Sequence, residues 1–143
     1  MVAPAVRTLI VDDHADVRFL IRMIVQEAGP PLEVVGEADG AESALARLDE
    51  LVPDVVVMDA RMPRVDGFEA APLLQARMPG LPIVLCSAWV DDDVRRRAAE
   101  AGIGAVLSKD QFDEIPAVVL ALAVSTLAAS VGEGGDGAAT GGA

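Results

Sequence analysis

Asp12, Asp13, Asp59, Ser87 and Lys109 are the side chains of this sequence best suited to handling a phosphoryl group. Each follows a short aliphatic run: Leu9-Ile10-Val11 leads into Asp12-Asp13, Val55-Val56-Val57-Met58 into Asp59, Ile83-Val84-Leu85-Cys86 into Ser87, and Ala105-Val106-Leu107-Ser108 into Lys109. A carboxylate such as Asp59 can act as a nucleophile and form an acyl phosphate. It repels an anionic phosphoryl donor, so a cation is needed between them. Asp12, Asp13 and Asp59 together suit one Mg2+, an ion that uses one or two carboxylates with waters and phosphate oxygens. Lys109 can neutralise a further phosphoryl oxygen, and Ser87 can donate a hydrogen bond to another. Ser87 alone is an ordinary polar residue at a strand end. Asp12-Asp13 is harder to dismiss, because adjacent carboxylates repel unless something screens them.

These residues can meet only if the runs are strands of one parallel sheet. Short aliphatic runs bounded by turn or helix-start signals are the pattern of strands buried on both faces. Their carboxyl ends share one edge, the usual ligand edge of such sheets. Strand-like and helix-like segments alternate five times, as in stacked βαβ units. Val17, Leu20, Ile21, Ile24 and Ala28 predict a first helix, stopped by Gly29-Pro30-Pro31. A second strand over Glu33 to Ala38 precedes a helix capped by Asp39, with Ala41, Ala44, Leu45, Leu48 and Val52 as its apolar stripe. Pro53 breaks before the third strand at Asp54 to Met58. Pro72 predicts that the third helix kinks or begins only near that residue. Asp91-Asp92-Asp93 suits a helix start, and Arg95, Arg96 and Arg97 read as its solvated face. Gly102-Ile103-Gly104 opens the fifth strand, and Asp113 is expected to cap the last helix, with Pro116 in its first turn.

The 143 residues allow one domain with a single well-buried core. With three Phe, one Trp and no Tyr, that core must be mostly Val, Leu, Ile and Ala. A net charge of −12 argues against an electrostatic grip on nucleic acid. Cys86 lies inside a predicted strand and reads as a small buried hydrophobe. The first residues lack the pattern of a secretion signal, so a cytoplasmic location is expected. From Gly132 the chain is mostly Gly, Ala and Thr and is read as a disordered tail over 132–143.

Val11-Asp12-Asp13-His14, Pro53-Asp54-Val55-Val56-Val57-Met58-Asp59, Met62-Pro63 with Asp66-Gly67, Ser87-Ala88 and Lys109 resemble the receiver domain of two-component response regulators. Asp-Asp-His, Val34-Val35-Gly36-Glu37-Ala38 and Lys109-Asp110 look most like the branch that usually carries a helix-turn-helix output domain. The resemblance implies a flavodoxin-like, doubly wound five-stranded parallel sheet of order 2-1-3-4-5 with five flanking helices, over 1–131. It implies that Asp59 accepts a phosphoryl group from a histidine kinase or phosphotransfer protein. Asp13, Asp59 and the backbone carbonyl of Arg61 would ligate Mg2+, Asp12 would act through water, and Ser87 and Lys109 would bind phosphoryl oxygens. His14 would be a local structural residue.

Three departures stand out. Val106 replaces the aromatic residue that the family usually places three before the lysine, so no aromatic rotamer switch is available there. Arg61 and Trp89 flank the pocket and are expected to keep water from the acyl phosphate, giving a long-lived phosphorylated state. Residues 115–131 carry no charge, so an apolar patch is expected on the last helix. A homodimer through the fourth and fifth helices is the natural partner reading, to be perturbed by charges at Val119 or Leu122. A membrane span is disfavoured, since seventeen residues sit at the short end of the roughly 17–25 needed.

The expectation is thus a stand-alone, phosphorylation-controlled binding module, not an enzyme, without direct nucleic-acid binding. A platform that dimerises without phosphorylation, or the receiver part of a truncated DNA-binding regulator, are the alternatives. Aspartyl-phosphate phosphatases need a second acid two residues after the nucleophile, where this chain has Arg61. A flavin site would want aromatic walls that the composition scarcely provides.

Overall fold

Apolar strands that cover both faces of a sheet need helices on both sides, and that requirement shapes the molecule. The computed structural model describes residues 4–126. Its elements run β1 (Val6–Val11), α1 (Ala15–Ala28), β2 (Leu32–Ala38), α2 (Ala41–Leu51), β3 (Val55–Asp59), α3 (Gly67–Arg77), β4 (Ile83–Ser87), α4 (Asp92–Glu100) and β5 (Ala105–Ser108). A 3-10 segment (Lys109–Glu114) then leads into α5, described over 115–126. All strand pairs are parallel, in the order β2-β1-β3-β4-β5. This is the expected flavodoxin-like arrangement with five helices. The predicted tail at 132–143 lies outside the described residues.

Alternate strand residues feed two cores, as the two-residue strand period demands. Leu9, Val11, Val56, Met58, Ile83 and Leu85 pack under α2, α3 and α4, against Leu48, Leu74 and Ala98. Ile10, Val55, Val57, Val84, Cys86 and Leu107 pack under α1 and α5, against Ile21, Val25, Ile115 and Val119. Each fully buried Leu or Ile contributes about 1.5–3 kcal/mol over its exposed state. Aliphatic burial therefore dominates this fold. Cys86 behaves as expected: burial, reinforced by the charge of Asp59, pushes its thiol up to about 12.

Several local expectations fail for identifiable reasons. In α1 the buried ridge includes Val25, whereas Leu20 and Ala28 are exposed. Apolar residues surround that helix, so its sequence does not single out one stripe. In α2 the last core residue is Leu51, not Val52. Val52 ends the helix in the left-handed region at φ 45° and is 54% exposed, while its carbonyl accepts a hydrogen bond from Arg7 Nε. Gly40, not Asp39, is the N-cap of α2; Asp39 accepts from Ser43 Oγ instead. The delayed start of α3 is also overturned. Asp66 and Glu69 form a capping box that starts the helix at Gly67, and Pro72 is carried inside it on an exposed position. Ser108 caps the 3-10 segment after β5, with Gln111 completing the box, and Asp113 lies inside that segment just before α5.

The apolar patch expected over 115–131 is described only as far as 126. On α5, Leu120 and Val124 are exposed but Val119 is fully buried, so a charge there would strike the core rather than an interface. Among the described residues, α1 also exposes apolar side chains: Phe19, Leu20 and Met23. Among the described residues, no helix is long and apolar enough to cross a membrane.

One ion-pair cluster ties α1 to β2. Arg18 Nε lies 3.0 Å and Arg22 Nε 2.6 Å from the Glu37 carboxylate, and Arg18 Nη1 donates to the Asp12 carbonyl at 2.7 Å. Partial burial raises the Glu37 pKa, but hydrogen bonds from Arg22 and Arg18 outweigh it and leave the group below its ordinary value. A carboxyl depressed on folding stabilises above its unfolded pKa and loses that stabilisation as pH falls through the folded one. Glu37→Gln is therefore expected to cost about 1–2 kcal/mol near neutral pH. Urea melts should show the gap from wild type closing as pH drops below the ordinary value of 4.5; a gap independent of pH would count against the ionic account.

Candidate functional site

The order of the sheet reverses at β1, which pairs with β2 on one side and β3 on the other. Ligands bind at the carboxyl edge beside such a reversal, where adjacent connections leave in opposite directions. Val11 is in register with Met58, so Asp12 emerges from β1 beside Asp59 at the end of β3. Asp59 in turn is in register with Cys86, and Ser87 with Ser108, which places Lys109 one residue beyond the edge of β5. Backbone bonds hold these ends: Asp12 N–H donates to the Ala38 carbonyl at 3.1 Å, and Ala60 N–H to the Cys86 carbonyl at 2.8 Å.

The start of α3 is pressed against the same strand end. Gly67 N–H donates to the Ala60 carbonyl at 2.9 Å. A Cβ on Gly67 would fall 2.5 Å from the Asp59 carbonyl and 2.6 Å from Leu85, so only glycine allows this approach. This contact is the physical reason for the glycine of the Asp66-Gly67 motif.

At the centre is a buried carboxylate with little to hold it. The Asp59 side chain is 1% exposed, and neither carboxylate oxygen accepts a directed hydrogen bond. Lys109 Nζ lies 3.1 Å from Oδ1, an ion-pair distance outside hydrogen-bond alignment. Asp12 is almost as buried, and its Oδ1 accepts the His14 backbone N–H at 2.8 Å. Burial, chiefly, raises the Asp12 pKa above its ordinary value and the nearby Asp59 charge adds to this, against the opposing pull of His14 and Lys109. Asp13 Oδ1 is also buried without a directed hydrogen bond. Carboxylates Asp12, Asp13 and Asp59, with His14, offer donor atoms that all lie within 4.8 Å of one another. Buried oxygens of like charge without donors are what a divalent cation satisfies, so these residues fit one.

Ser87 and Arg61 border the same edge from the other side. A cavity of about 380 Å3 opens there, with Arg61, Asp66, Phe68, Ser87, Trp89 and Arg97 among its lining residues. Arg61 stacks over the exposed Trp89 ring, with its guanidinium carbon 5.4 Å from the ring centroid. Arg97 stays exposed, as its row was expected to be, and also sits 4.1 Å over the Phe68 ring and 3.9 Å from Asp66, bridging α4 to the start of α3. Arg95 and Arg96 do pair locally, with Asp92 and with Asp93. A larger cavity, about 580 Å3, lies at the start of α2 and meets the acidic group only through Asp13.

The five residues singled out for phosphoryl chemistry thus converge on one edge. Asp12, Asp13, Asp59 and Lys109 form one cluster, with Ser87 at the adjoining strand end. His14, expected to be a local structural residue, places Nδ1 3.2 Å from Asp12 Oδ1 and from Asp13 Oδ1. No local signal marks Arg97 or the Arg18–Glu37–Arg22 cluster, whose partners are distant along the chain.

Comparison with known proteins agrees with this arrangement. Residues 8–120 match the family model of the response regulator receiver domain. The chain is 36% identical over 125 residues to a protein-glutamate methylesterase/protein-glutamine glutaminase of Rhodopseudomonas palustris, covering 86% of this chain and 34% of that protein. It is 38% identical over 105 residues to the response regulator GacA of Pseudomonas viridiflava, covering 73% of this chain and 48% of GacA. The chain therefore spans about a third to a half of these curated relatives. Among solved structures, the signal receiver domain of the response regulator NarL from Mycobacterium tuberculosis is similar, with a TM-score of 0.77 and 31% identity over 85% of this chain and 98% of that one. In sequence, sheet order and the acidic edge alike, this chain belongs to the response regulator receiver domain family.

Proposed function

We propose that Asp59 accepts a phosphoryl group from a histidine kinase or phosphotransfer protein, and that the phosphorylated domain signals by altered contacts with another protein. The observation that carries this reading is the buried Asp59 carboxylate, whose oxygens lack hydrogen-bond donors while Lys109 stands 3.1 Å away. An unsolvated carboxylate is a better nucleophile than a hydrated one, and its position is fixed by β3. An Asp59 oxygen forms the new bond to phosphorus as the phosphorus–nitrogen bond of the donor phosphohistidine breaks, and the leaving imidazole takes up a proton. Lys109 and Ser87 bind the phosphoryl oxygens as they flatten into the transition state. Mg2+ held by Asp13, Asp59 and the Arg61 carbonyl, with Asp12 acting through water, would neutralise the phosphoryl oxygens and the crowded carboxylates.

The output is a protein contact in this reading. The exposed Leu120 and Val124 on α5 support a partner or a second copy there, while α4 offers a largely charged face. The net charge of −12 disfavours nucleic acid as the target, and a cytoplasmic location accords with a kinase partner. A second reading, the receiver part of a longer regulator, is favoured by the relatives that this chain covers only in part.

Incubation with a small phosphodonor and Mg2+ should yield one phosphoryl adduct by intact mass, absent in Asp59→Asn and with chelator. No adduct in the wild type would favour the platform that works without phosphorylation. The Arg61–Trp89 stack is worth about 0.5–1 kcal/mol if it shields the acyl phosphate, so Trp89→Ala should speed its decay about two- to fivefold; slower decay in the variant would rule the shield out. Mg2+ at ten times its Kd should stabilise the wild type by about 1.4 kcal/mol in thermal melts. Asp13→Asn should blunt that response, while Asp12→Asn should raise the melting temperature of the metal-free protein by removing a disfavoured buried charge.

A further inference from the structure

We infer that His14 supplies an imidazole nitrogen to the cation site, biasing it toward Mn2+ and other imidazole-accepting divalent ions relative to Mg2+. The inference rests on the cation-site reading above and deepens it.

The donor distances carry the argument. Atoms bound to one six-coordinate ion at about 2.1 Å lie about 3 Å apart when adjacent and about 4.2 Å apart when opposite. His14 Nδ1 is 3.2 Å from Asp13 Oδ1, the spacing of adjacent ligands, and 3.2 Å from Asp12 Oδ1. The Asp12, Asp13, His14 and Asp59 donors lie within 4.8 Å of one another, so sub-ångström closure would bring Asp13, His14 and Asp59 around one ion with Asp12 acting through water. A ligand is independently called for by Asp59, whose side chain is 1% exposed and whose oxygens accept no directed hydrogen bond.

His14 is the N-cap of α1 but makes no side-chain capping bond, and its side chain is 59% exposed. A neutral imidazole with its proton on Nε2 leaves that proton toward water and presents the Nδ1 lone pair to the acids. The competing role is a hydrogen bond from Nδ1–H to Asp12, which would position that carboxylate without touching the metal. A purely carboxylate site suits Mg2+; adding imidazole raises affinity for first-row ions selectively. The two roles therefore differ in metal preference and in spectroscopy.

His14 is the single histidine of the chain, so any imidazole nitrogen bound to an ion must be its own. The test is pulsed EPR of the Mn2+-loaded full chain, with Mn2+ and Mg2+ titrations of the wild type, His14→Ala and Asp13→Asn. The expected result is a directly coordinated nitrogen signal that disappears in His14→Ala. In that variant the Mn2+ over Mg2+ affinity ratio should also fall about tenfold. Asp13→Asn should weaken binding of both ions. Mn2+ binding without a nitrogen signal, or an unchanged affinity ratio in His14→Ala, would overturn the inference and leave the carboxylate site standing. A nitrogen signal that survives Asp13→Asn at full strength would place the ion elsewhere and overturn it as well. Failure of the wild type to bind either ion would overturn the cation site itself.

Discussion

Like charge confined in a dry place is the constraint on which the rest of this domain turns. Asp12 and Asp59 are 2% and 3% exposed, Asp13 is half-buried beside them, and one lysine faces the group. Holding ionised carboxylates out of water costs several kcal/mol for each group even after relaxation. The aliphatic sheet tolerates this because both of its faces are covered and its strands cannot slide without exposing core residues. The site is therefore held by hydrophobic burial against its own electrostatics. A divalent cation between the carboxylates would relieve that tension.

The loops around the edge are fastened by charges that reach between elements. Arg18 joins Glu37 on β2 to the carbonyl of Asp12, so the acidic loop is anchored from behind. Arg97 joins α4 to Phe68 and to Asp66, the residue that also caps α3. Arg61 leans on Trp89 across the cavity beside Ser87. With Val106 in place of an aromatic side chain, these contacts connect the phosphoryl edge to the helices that border it. Each is partly exposed and individually weak, the kind of contact that can exchange without unfolding the domain.

The strands and the five residues at their ends were legible because both signals are local. An aliphatic run bounded by breakers defines a buried strand whatever its neighbours, and Asp59, Ser87 and Lys109 are read from the residues that precede them. The helix stripes were less legible. α1 carries apolar residues nearly all round, so which of Leu20 and Val25 faces the core depends on how the helix rolls on the sheet. Val52 and Leu51 differ only in which side of a left-handed cap they fall. Pro72 left a kink or a delayed start of α3 open, and the Asp66–Glu69 capping box rules out only the delayed start.

By itself the sequence determined the parallel sheet, the alternation of helices and which polar side chains stand at the strand ends, because hydrophobic period and residue chemistry act over a few neighbours. The family resemblance added the strand order. Only the tertiary structure decided what surrounds those side chains. That Asp59 lacks donors and that Arg97 reaches across to Phe68 are outcomes of packing between segments tens of residues apart. Burial and unmet hydrogen bonds are properties of the enclosed space, and no stretch of chain encloses it alone.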